Sequence, residues 1–138
     1  MYQQGKERKF MNDFPKNPIF VFSKNSIENS LCAQEIKTSY IIGGEEILNV
    51  YSDIRNCVIF TNKRIIIVNV QGFTGVKKDY ISLPYSKLHT FSVESRGFFD
   101  MNSELKLYFS EFGKVKIKFT RETDISEIAR ILAFYTIK

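Results

Sequence analysis

One histidine, His89, serves the whole chain. That excludes a two-histidine metal motif, and no nucleophile or carboxylate is patterned around it for acid–base work. Its alternation with Phe91 and Val93 predicts a partly buried structural role. Cysteine is nearly as scarce. Cys32 and Cys57 lack the spacing of a metal site and are too few for a disulfide framework. They read as two reduced, half-buried thiols. No run of eighteen apolar residues occurs, so no transmembrane helix is expected. The early apolar cluster Ile19-Phe20-Val21-Phe22 is too short for a signal-peptide core, and no small-residue cleavage pattern follows it. On these grounds the chain is expected to be cytoplasmic. Gly72-Phe73-Thr74-Gly75 lacks the Lys-Ser/Thr and the helix of a phosphate loop, and reads as a hairpin turn. No catalytic residue, metal or cofactor is assigned, and the chain is not expected to be an enzyme.

The net charge of +5 is spread, with +2 in the first forty residues and +3 in the rest. Spread charge is not the dense basic patch of a nucleic-acid binder, so nucleic acid is not expected as a partner. A chain of 138 residues is long enough for one domain with one core.

The organising stretch is Phe60-Thr61-Asn62-Lys63-Arg64-Ile65-Ile66-Ile67-Val68. Four β-branched residues in succession suit a strand, and Asn62 is a residue type that tolerates positive φ in a tight turn. Ile65 and Ile67 point one way, Ile66 and Val68 the other. Both faces are apolar, so both need cover.

Residues 1–25 are broken by Gly5, Pro15 and Pro18 and are expected to form an N-terminal extension, ordered at best in part. Within it, Ile19–Phe22 would add an edge strand or fill a groove. Residues 26–138 are expected to form a single domain. A lead-in helix over 26–42 would be capped by Ser26 and stopped by Gly43-Gly44. Seven short strands follow over 45–120, ending in the alternating pair Leu105–Phe109 and Val115–Phe119. Asp124 starts a capping helix over 124–135, with Ile125, Ile128, Ala129, Leu132 and Tyr135 on its apolar stripe. The pattern is mainly β: a bent antiparallel sheet closed by one amphipathic helix.

Two basic groups are candidate partner or anion surfaces. Lys106, Lys114, Lys116 and Lys118 project from one face of the last two strands, where lysine also deters edge-to-edge aggregation. Lys63, Arg64, Lys77 and Lys78 lie near strand ends, where they would converge on an anion. Large aromatics off the core pattern, Phe98 and Phe134, are candidate contacts between copies, and Phe99 is expected to plug the open end of the barrel.

Phe60-Thr61-Asn62-Lys63-Arg64, Val70 to Lys78, Ile81-Ser82-Leu83-Pro84-Tyr85, Phe91-Ser92-Val93-Glu94 and Phe99 to Lys106 follow in an order that resembles the bacterial pleckstrin-homology domains. The resemblance runs from about Glu45 to Tyr135. It implies a PH-like, seven-stranded, orthogonally bent barrel capped by a C-terminal helix. It also implies assembly, because single-domain members form cyclic homo-oligomers, typically five-fold, with strands of neighbouring protomers adjoining. On that basis Ile66 and Val68 join the candidate contacts between copies. The implied role is protein–protein interaction with an unidentified partner. The alternative is a peripheral membrane module that binds anionic lipid through the lysine face. The first loop, Ile54-Arg55-Asn56, carries one cation, so phosphoinositide binding does not follow from the fold. Arg96 and Phe98 are bulkier than the small residues associated with this family.

Overall fold

The computed structural model describes residues 21–71, 77–95, 102–111 and 113–137. All seven expected strands are present: β2 (Ile47–Ser52), β3 (Cys57–Thr61), β4 (Arg64–Gln71), β5 (Lys77–Pro84), β6 (Leu88–Glu94), β7 (Ser103–Phe109) and β8 (Gly113–Phe119). An eighth, β1 (Val21–Asn25), precedes them in the stretch read as an extension, and its Phe22 is fully buried. Five residues with one apolar anchor carry too little alternation to announce a strand. The rest of the extension, with Ile19 and Phe20, lies outside the described residues. So do the Gly72–Gly75 turn, Phe98 and Phe99.

The described residues divide into two compact units, one within Phe22–Tyr85 and one from Ser86 onward. In the first unit, β1 to β5 form antiparallel neighbours in chain order. The helix α1 (Leu31–Ser39) lies in this unit. It is shorter than expected because its N-cap is Ser30, whose side chain accepts from the Ala33 amide at 3.0 Å. Ser26 instead closes the preceding turn by accepting from the Asn29 amide.

Register answers the demand of the doubly apolar strand. Cys57 pairs with Val68 and Ile59 with Ile66, and that face packs with Val50 against Ala33 and Ile36 of α1. Val58 pairs with Ile67 and Phe60 with Ile65 on the opposite face, and all four are fully buried. Tyr51 meets Phe60 edge to face at 5.7 Å, and its hydroxyl accepts from Asn49 at 3.0 Å. Ile66 and Val68 are therefore corrected: offered as contacts between copies, they are 3% and 2% exposed inside this chain's own core. By the area rule, burying each stabilises by about 1.5–3 kcal/mol relative to exposure.

The cysteines are also corrected. Cys32 on α1 and Cys57 on β3 form a disulfide. Their spacing gave no warning, because the bond joins a helix to a strand that the fold brings together.

In the second unit, β6, β7 and β8 form an antiparallel meander. Leu105, Leu107, Phe109, Val115, Ile117 and Phe119 are buried, as their alternation required. Gly113 opens β8 with φ +94°, a left-handed conformation in which other residues are strained. The helix α2 (Ile125–Thr136) lies against β6 and β7 and buries Ile128 and Leu132. Asp124 caps it by accepting from the Ser126 and Glu127 amides. The hydrogen bonds from Ser126 hold the Asp124 carboxyl below its usual value. No helix among the described residues is long and apolar enough to cross a membrane.

Candidate interaction surface

The lysine face assembles as its alternation implied. Lys106 stands opposite Lys116, Tyr108 opposite Lys114, and Glu104 opposite Lys118. Directly paired residues share a face, so register carries this surface onto β6, where Thr90, Ser92 and Glu94 stand opposite Tyr108, Lys106 and Glu104. The Lys106 ammonium lies 3.9 Å from Glu104, and the Lys114 ammonium sits over the Tyr108 ring at 5.9 Å. The face is basic with acids interleaved. The Lys106–Glu104 pair is half-buried, while Lys114 and Lys116 stay in solvent.

The second basic group does not converge. Arg64 pairs with Pro84 at one end of the β4–β5 ladder, and Gln71 pairs with Lys77 at the other. Seven strand positions separate those ends, about 24 Å at the usual rise. No single anion spans that distance. Antiparallel pairing already contained this result, since a hairpin places its first and last residues together and its turn at the far end.

Nor is Arg64 available. Its Nε donates to Glu45 Oε2 at 2.8 Å and its Nη2 to Glu45 Oε1 at 3.0 Å. Nη1 donates to the Ser82 hydroxyl, and Nη2 also reaches the Tyr40 carbonyl at 2.8 Å. The Glu45 side chain has no solvent exposure. Burial alone would raise its carboxyl. Hydrogen bonds from Arg64, Thr61 and the Ile42 amide, with the Arg64 charge, outweigh that and hold it below its usual value of 4.5.

The Thr61–Arg64 turn is thus a stitched corner. The Thr61 hydroxyl donates to Glu45 Oε2 at 2.7 Å and accepts from the Lys63 and Arg64 amides. Asn62 does not take positive φ, and no described non-glycine residue does. Its side chain instead accepts from the Glu46 amide and donates to the Gly44 carbonyl. Tyr85 closes the corner by donating its hydroxyl to the Thr61 carbonyl at 2.7 Å.

Lys78 is partly engaged as well, 3.6 Å from Glu35 on α1. Glu35 also accepts from the Tyr80 hydroxyl at 2.8 Å. Burial, then that hydrogen bond and the Glu35 charge, push the Tyr80 hydroxyl up to about 12. Lys63 and Lys77 of this group are exposed.

The model of the bacterial PH domain family matches residues 19–136. The chain is a bacterial PH domain. Two uncharacterized Bacillus subtilis proteins are similar to it. YjqA is 36% identical over 107 residues, 76% of this chain and 86% of that protein. YozO is 30% identical over 107 residues, 78% and 91% of the two chains. Among solved structures, a DUF1696-family protein with a pleckstrin-homology domain from Shewanella loihica PV-4 superposes with a TM-score of 0.75. That match has 32% identity and covers 86% of this chain and 99% of the other. A pleckstrin homology domain from Shewanella amazonensis SB2B gives 0.64 at 31% identity, covering 91% and 98%. The expected PH-like, mainly β architecture with its C-terminal helix is therefore correct.

Two features of this PH domain that bear on interaction were missed in the sequence. His89 falls in the register shift between Leu88 and Thr90 and is exposed, so the expected half-buried role is corrected. A bulge breaks alternation, and no residue pattern at Leu88-His89-Thr90 marks it. The second is the edge. Among the described residues β6 has a ladder to β7 alone, and β5 to β4 alone. In β6 every residue except Leu88 and Phe91 is exposed. Phe134 on α2 is 76% exposed, in agreement with its position off the apolar stripe.

Proposed function

We propose that this PH domain is a non-enzymatic module that assembles into a cyclic homo-oligomer and presents a polar surface to a protein partner. The observation that carries the reading is the character of β6. An exposed edge strand is a template for pairing, and proteins that stay monomeric blunt such edges with lysine, proline or short length. The β5 edge is blunted, with Lys77 and Lys78 at one end and Pro84 at the other. Leu88-His89-Thr90-Phe91-Ser92-Val93-Glu94 is seven residues long and carries neither lysine nor proline. An edge of this kind is suited to a strand from a neighbouring copy, as the resemblance implies. Exposed Phe134 supplies an apolar anchor of the type that fills an interface.

The surface left to a partner is the lysine face of β7 and β8, which fits an acidic protein segment by charge complementarity. The module acts in the cytoplasm in this reading. There a disulfide is transient or redox-sensing rather than permanent.

Sedimentation velocity on the purified chain at tens of micromolar tests the assembly. A species several times the 16.1 kDa of one chain is expected. A monomer at that concentration would sink the proposal.

A further inference from the structure

The Cys32–Cys57 bond lies in the lining of a cavity of about 440 Å³ between the start of α1 and the turn that joins β2 to β3. Leu31, 87% exposed, stands on the helix side of the mouth, and Ile54, 99% exposed, on the turn side. Cys57 is 1% exposed, whereas Cys32 is half-buried. A reagent entering the cavity therefore meets Cys32 first.

The two ends of α1 are held differently. At its C-terminal end the Tyr40 carbonyl accepts from Arg64 at 2.8 Å, and the Tyr40 ring stacks on Tyr80 at 4.5 Å. Glu35, in the middle of the helix, takes the Tyr80 hydroxyl. At the N-terminal end Leu31 is exposed, Ala33 packs in the core, and the disulfide is the covalent tie to the sheet.

We propose that Cys32–Cys57 is a thiol–disulfide exchange site, open through this cavity to a small-molecule thiol, and that it latches the first turn of α1 onto the sheet. A small thiolate attacks Cys32 Sγ. The S–S bond breaks, and its electron pair leaves on Cys57 Sγ, which takes up a proton. A second thiolate attacks the small molecule's sulfur in the mixed disulfide. That step releases Cys32 as a thiol, after protonation, and one small-molecule disulfide. Two thiols are oxidised and the cysteine pair is reduced by two electrons. The freed first turn moves away from Val68 and widens the cavity, while the Arg64 and Tyr80 contacts keep the end of the helix in place. The site does not depend on assembly, and the test below reads bonds and amides within one chain.

The oxidised full-length chain is treated with reduced glutathione without denaturant, trapped with iodoacetamide, and followed by mass and by amide hydrogen exchange. Two alkylated cysteines are expected. The Ala33 and Gln34 amides, bonded to Ser30, should exchange about tenfold faster. Those of Tyr40 and Ile41, bonded to Ile36, should stay within about twofold. Cys32→Ser should show the same pattern without reductant. The proposal is overturned if the bond fails to form in the native chain under oxidised glutathione. Reduction that needs denaturant, or unchanged exchange at Ala33 and Gln34 in both the reduced chain and the variant, overturns it equally.

Discussion

Arg64 grips Glu45 with two parallel hydrogen bonds, at 2.8 and 3.0 Å, and the carboxylate it holds has no exposed side-chain surface. The arginine is itself 21% exposed and spends its remaining donors on Ser82 and the Tyr40 carbonyl. The pair joins the β3–β4 corner to the loop between α1 and β2. Removing one partner leaves a desolvated charge, which is why breaking such a pair costs more than the pair contributes. Arg64→Ala is expected to destabilise the chain by about 3 kcal/mol in urea unfolding. Arg64→Lys should recover part of that at most, since an ammonium cannot make the forked contact. A loss under about 0.5 kcal/mol would show that the corner is not held this way.

The same pair sets an acid limit. The Glu45 carboxyl is lowered in the folded chain relative to 4.5, so the unfolded chain binds its proton more readily. Stability from Glu45 is then fully present above 4.5 and is lost as pH falls through the lower, folded value. Thermal melts between pH 6 and pH 3 should show this decline, and Glu45→Gln should flatten it. An identical decline in the variant would assign the acid limb to other carboxylates.

Ile66→Ala distinguishes a core residue from an interface residue. Buried beneath α1, it should cost about 2–5 kcal/mol of unfolding free energy, the usual large-to-small penalty. The oligomeric state of the folded fraction should be unchanged. Dissociation with unaltered chain stability would contradict the packing against Ala33 and Ile36.

Much of this was readable in the residues, for physical reasons that differ from place to place. Ile65 to Val68 demanded cover on two faces, and the structure supplies α1 for one. Lys114, Lys116 and Lys118 alternate with Val115, Ile117 and Phe119, and strand periodicity alone puts them on one surface. What failed were judgements about distance. Lys77 looked near Arg64 because the chain turns between them, but antiparallel register sends it to the far end of the ladder. Cys32 and Cys57 meet only once α1 lies on β3, a tertiary contact that spacing does not encode. Arg64 read as a surface cation because its partner Glu45 sits nineteen positions away, within the loop before β2.

The lysine face gives a charge-based prediction. Lys114→Glu with Lys116→Glu alters two exposed side chains and leaves the buried face of β8 intact. The double variant should fold and assemble as the parent does, while its retention on a polyanionic resin at low salt drops. Unchanged retention would move the surface that attracts acidic partners away from β7 and β8.

Assembly through the β6 edge with Phe134 as an anchor is the central claim, and native mass spectrometry of the parent beside Phe134→Glu tests it most directly. Phe134 is 76% exposed, so the substitution leaves the core of the chain alone. The parent should appear as a closed set of copies, several times 16.1 kDa, and the variant as a folded single chain. A parent that flies as a monomer, or a variant that keeps the parent's full assembly, would contradict it.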